Sequence, residues 1–92
     1  MLNMTKHAHA RIQQRGIPTA VVENLLNFGR EVQDHHGGLI LYFNRRARET
    51  LRRAKGNERY KRIEGYLSTY AVVAMSGDIV TVGHRTRRIN RN

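Results

Sequence analysis

The sequence predicts an α+β domain, with two N-terminal helices packed on a small, mainly antiparallel four-stranded sheet. Three observations predict it. Apolar residues recur at helical spacing over the first 28 positions. After Gly29 they fall in short runs, and His35-His36-Gly37-Gly38 and Ser76-Gly77-Asp78 read as hairpin turns between them. The chain has 92 residues, room for one small domain. The order α-α-β-β-(α)-β-β fits helices laid on a single antiparallel sheet.

The elements follow in order. Thr5 can cap a first helix over 5–15, and Gly16 ends it where a left-handed residue is wanted. Ile17-Pro18-Thr19 opens the second, with Pro18 suited to a first helical turn. Val21, Val22, Leu25 and Phe28 form its inner face, and Gly29 stops it. A strand over 30–34 has Val32 as its only strongly apolar residue. The stretch 39–43 is continuously apolar, as in a strand paired centrally or covered on both faces. Asn44 can cap an extra helix over 45–55. Ala47, Leu51 and Ala54 mark its inner face, and Arg45, Arg48, Arg52 and Lys55 its outer one. Glu49 can pair with Arg45, Arg46, Arg52 or Arg53 at i±3 or i±4. Residues 57–64 fit a loop with a fraying helical turn. A strand over 66–75 and an antiparallel return over 79–84 complete the sheet. Residues 85–92 form a basic tail, expected to be loose at its end.

Charge narrows the partners. Fourteen arginines and three lysines face seven acids, a formal net charge of +10. Such a field attracts polyanions. Nucleic acid comes first, an acidic protein second, and an anionic membrane surface a distant third. No stretch has the bulky amphipathic face that membrane binding needs, and no apolar run approaches a membrane helix. There is no cysteine, which removes disulfides and thiolate metal sites and fits a reducing cytoplasm. The first residues lack a charged-then-apolar leader pattern. His7 and His9 on a helix point about 200° apart, so no metal is expected there, and no cofactor motif is present.

One stretch stands out. In His7-Ala8-His9-Ala10-Arg11-Ile12-Gln13-Gln14-Arg15-Gly16-Ile17, the residues His7, Arg11 and Arg15 recur every four positions. A helix sets them on one stripe beside the apolar Ala8 and Ile12. The same stretch resembles the opening of a family of small bacterial proteins of unassigned function, which begin His-Ala-x-x-Arg-x-x-x-Arg-Gly-Ile. Those proteins continue with a short helix, a hairpin and a late strand of apolar-Thr-apolar pattern, here Ile79-Val80-Thr81-Val82. The family is grouped with the barnase–EndoU–colicin–RelE-like superfamily. That resemblance implies a RelE-like fold, metal-independent ribonuclease activity and a cognate antitoxin as protein partner.

RNA carries its own nucleophile, the 2′-hydroxyl. A metal-free ribonuclease needs a group to take the 2′ proton and cations to hold charge on phosphorus. It also needs a group to protonate the departing 5′ oxygen. Histidine can perform either proton transfer, and arginine can hold two phosphate oxygens at once. The catalytic candidates are His7, Arg11, Thr81 and His84. The candidates for holding RNA are Arg15, Arg45, Arg48, Arg52, Lys55, Arg85 and Arg88. Tyr60 and Tyr66 can stack bases, whereas Tyr42 and Tyr70, inside strands, fit core packing better. His7 and His84 can share one site only if the last strand runs beneath the first helix. Each candidate has a plainer role: a solvated helix edge, a partner for Glu23, Glu31 or Asp34, or, for Thr81, a half-buried strand position. Two other functions stay open: a non-catalytic nucleic-acid-binding module, and a basic protein that docks an acidic one.

Overall fold

Thr5 fastens the start of the chain to its end. Its backbone N–H donates to the Ile79 carbonyl at 3.0 Å, and its hydroxyl to that of Val80 at 3.4 Å. The same hydroxyl accepts from the Ala8 N–H and so caps α1 (Lys6–Arg15). The computed structural model describes residues 4–85. At the far end of α1, Gly16 adopts φ 61°, and the Gly16 and Ile17 N–H groups return to the carbonyls of Gln13 and Ile12. That is the left-handed stop the sequence called for.

Pro18 is the residue before α2 (Thr19–Phe28) rather than part of its first turn. Val21, Val22 and Leu25 of α2 are buried. Gly29 follows in ordinary extended backbone, yet a Cβ there would meet the Leu25 carbonyl oxygen at 2.4 Å. Close approach to the helix, not a positive φ, requires this glycine.

The strands β1 (Arg30–Gln33), β2 (Leu39–Tyr42), β3 (Thr69–Val73) and β4 (Ile79–His84) pair antiparallel in the order β1-β2-β3-β4. In the first hairpin, His35 and Gly37 take positive φ, while Gly38 does not. Asp34 organises that turn, its Oδ1 accepting from the N–H groups of His36 at 2.8 Å and Gly38 at 2.9 Å. These bonds stabilise the carboxylate and hold its pKa below the ordinary 3.8. In the second hairpin Thr81 pairs with Val72 but Ile79 with Val73, so Val80 is an extra residue.

Between β2 and β3 lie α3 (Arg45–Lys55) and α4 (Asn57–Ile63). Asn44 caps α3 through the Ala47 N–H at 2.8 Å, as its sequence suggests. Glu49 pairs with Arg52 at 3.0 Å and Arg53 at 3.9 Å. The stretch 57–63 is a helix and not a loop. A 3-10 turn, Glu64–Tyr66, follows it, so β3 starts three residues later than the pattern suggested.

The helices cover one face of the sheet. Leu41, Ala71 and Val82, aligned across β2, β3 and β4, join Ala8, Val21, Leu25 and Leu51 in one core. The α+β architecture is therefore the one expected, with two N-terminal helices and an extra helical pair. Among the described residues, no helix is long and apolar enough to cross a membrane.

Candidate functional site

The tie from Thr5 to Ile79 and Val80 makes α1 run alongside β4 in the same direction. The last strand thus lies beneath the first helix, as a shared site requires. Where the pair ends, Arg11, Gln14, Arg15 and His84 line one cleft of about 350 Å³. Arg11 and Arg15 are one turn apart, and Gln14 falls between them on the same side. Among the described residues, neither arginine has an ion-pair partner; the pairs found there belong to Glu49.

His84 is held from behind. Its Nδ1 lies 3.3 Å from the Ser68 hydroxyl, and the Tyr66 ring stacks on it at 6.5 Å between centroids and 25° between planes. Ser68 engages Nδ1, so Nε2 is the nitrogen left for a ligand among the described residues. A half-buried imidazole with one nitrogen engaged and two guanidinium groups beside it suits a phosphodiester. The arginines can take non-bridging oxygens while Nε2 exchanges a proton.

The structure divides the other candidates. His7 is exposed, one turn before Arg11 and about 12 Å of helix rise from Arg15, and it does not line the cleft. Thr81 is separated more sharply. Side chains alternate along a strand, so Val82 and His84 face the helices while Thr81 and Gly83 face the opposite side of the sheet. Thr81 pairs with Val72, whose own partner is Ile40, on that opposite face. It therefore cannot act with His84 on one phosphate.

Arg85 is separated from His84 in the same way. Its guanidinium carbon sits 5.1 Å from the centre of the Tyr42 ring, and its Nη2 donates to the Phe43 carbonyl at 3.2 Å. Its Nε is buried without a partner among the described residues. Arg48 does not sit on an outer face either. Its Nε donates to the same Phe43 carbonyl at 3.2 Å, and its Nη2 to the Leu67 carbonyl at 3.4 Å. Both arginines are half-buried and brace the fold. Arg45, Arg52 and Lys55 are exposed on α3, as expected. Arg88 lies outside the described residues.

Gln14 and Ser68 were not singled out as site residues by sequence, and Tyr66, expected as a ring for a base, instead stacks on His84. Gln14 was findable, being three residues from Arg11 on the same helical face. Ser68 was not, nor was the His84 partner of Tyr66, because both depend on Thr69 pairing with His84, and the Val80 bulge shifts that register. Among the described residues, no three His, Cys, Asp or Glu side chains gather to hold a metal ion. The chain matches no known family model, no curated protein and no solved structure.

Proposed function

We propose that the chain is a small metal-independent ribonuclease acting as the toxin of a toxin–antitoxin pair, with an acidic antitoxin as its protein partner. The observation that carries the catalytic reading is the cleft in which Arg11 and Arg15 of α1 meet His84 of β4. The motif resemblance and the net charge of +10 carry the toxin and partner.

The chemistry follows from the cleft. The 2′ oxygen of RNA attacks phosphorus, a 2′-O–P bond forms, and the bond to the 5′ oxygen breaks. His84 takes the 2′ proton on Nε2, and water protonates the leaving 5′ oxygen. Arg11 and Arg15 balance the charge on the pentacoordinate phosphorus, and Gln14 can donate to a phosphate oxygen. Ser68 and Tyr66 are positioning residues that fix the ring. The products are a 2′,3′-cyclic phosphate and a 5′-hydroxyl. Incubating the purified protein with single-stranded RNA in excess chelator tests this directly through the chemistry of the new ends.

A second reading has its own observation. The cleft holds one imidazole, whereas the exposed Arg45, Arg46, Arg52, Arg53 and Lys55 on α3 form a dense cationic face. A nucleic-acid-binding module without catalysis would use that face alone, giving salt-sensitive binding and intact RNA.

A further inference from the structure

We infer that the groove between α3 and α4 is a nucleotide subsite, which seats a single-stranded nucleotide flanking the phosphate held at the Arg11–His84 cleft. The link to that cleft rests on the ribonuclease reading; the groove is a separate observation. It encloses about 530 Å³, within the range of small-ligand sites. Arg45, Arg48 and Arg52 form its α3 wall, and Asn57, Tyr60 and Lys61 its α4 wall.

The walls divide the work. Arg48 is bound to two backbone carbonyls and is a fixed wall. Arg45 and Lys61 are exposed cations at the rim, free to meet phosphate. The half-buried Tyr60 packs against the core on one side and lines the groove, so its ring is a rigid platform for a base. Asn57 and Glu64, also on the groove, match the hydrogen-bonding edges of bases, since a carboxylate accepts from an exocyclic amino group. Of the two carboxylates on the groove, Glu49 pairs with Arg52, and Glu64 is the one a ligand meets. Glu64 disfavours the side-chain carboxylates of an acidic peptide, whereas the exocyclic amino group of a base can donate to it. A base reaches Tyr60 only if it is out of a duplex stack, so the strand is single.

A short stretch of chain connects the groove to the cleft. Glu64 lines the groove and opens the 3-10 turn whose last residue, Tyr66, stacks on His84. Ser68, which holds Nδ1 of His84, is four residues past Glu64, at most about 14 Å of chain. On the ribonuclease reading, one short single strand occupies both places.

The test is binding, measured apart from cleavage. The probe is a fluorescein-labelled nine-nucleotide RNA with every 2′ oxygen methylated, followed by anisotropy with the full chain. Tyr60→Ala is expected to weaken binding roughly ten-fold or more, and Tyr60→Phe to restore it. Because Tyr60 also touches the core, a second variant, Arg45→Glu with Lys61→Glu, carries both changes at exposed positions. It is expected to lose affinity while melting as wild type does. The complementary duplex is expected to bind more weakly than the single strand at equal salt. Wild-type affinity in both variants overturns the proposal, and so does a nine-residue polyglutamate peptide that displaces the RNA at comparable concentration. Absence of cleavage by the unaltered protein, with these binding results intact, would overturn the ribonuclease reading and leave the subsite standing.

Discussion

Replacing Arg48 with alanine separates an arginine that braces the fold from one that serves a ligand. Arg48 joins three places: α3, the end of β2 through the Phe43 carbonyl, and the approach to β3 through the Leu67 carbonyl. Removing it leaves the Phe43 carbonyl with Arg85 as donor, while the Leu67 carbonyl loses that donor. A hydrogen bond from a charged donor contributes about 1.5–3 kcal/mol. The two bonds here are long, at 3.2 and 3.4 Å, and the side chain is only half-buried. Their joint loss therefore falls near the low end, about 2 kcal/mol. For a domain of this size that lowers Tm by roughly 10 °C. Arg45→Ala, one turn away and exposed, should stay within about 0.5 kcal/mol of wild type. Thermal unfolding followed by circular dichroism compares the two. An Arg48→Ala protein melting within 2 °C of wild type, a shift of order ~0.5 kcal/mol or less, would refute the brace.

Gly29→Ala forces a methyl against the Leu25 carbonyl oxygen at 2.4 Å, and denaturant titration should show a loss of roughly 2 kcal/mol. Asp34 should titrate below 3.8 by carboxyl NMR. Because its folded pKa is lowered, the stability it gives the hairpin is full above the ordinary carboxylate range and drains away as pH falls through the folded value. Asp34→Ala should abolish that acid sensitivity of the turn and speed exchange of the Gly38 amide, which Asp34 holds at 2.9 Å. Ser68→Ala frees His84 Nδ1, so kcat for RNA cleavage should fall several-fold with KM little changed, and the Ser68→Thr protein should recover much of it.

The sequence made the order of elements legible because its punctuation is local. Thr5, Gly16, Gly29, Asn44 and the two hairpin turns each act within a few residues. The helix at 57–63 was not legible, since it follows α3 after the single residue Gly56 and carries only one buried residue, Ile63. For the site, the spacing of Arg11 and Arg15 was readable, and so was the need for the last strand to pass under the first helix. What could not be read is the face each strand residue takes. The pleat sends His84 toward α1 and its neighbours Gly83 and Arg85 the other way, which removes Thr81 and Arg85 from the cleft. Nor does spacing tell an exposed arginine from a braced one. Arg45 and Arg48 look alike in sequence, and only the nearness of the Phe43 and Leu67 carbonyls distinguishes them.

The most direct test of the account is cleavage of a labelled single-stranded RNA, in chelator, by the wild-type protein and by His84→Ala, Arg11→Ala and His7→Ala. The account predicts fragments ending in 2′,3′-cyclic phosphate from the wild type and from His7→Ala, whose imidazole stands outside the cleft. It predicts a loss of about 100-fold or more in His84→Ala, the scale of a missing acid–base group, and a comparable loss in Arg11→Ala. Intact RNA with the wild-type protein, or undiminished cleavage by His84→Ala, would contradict it.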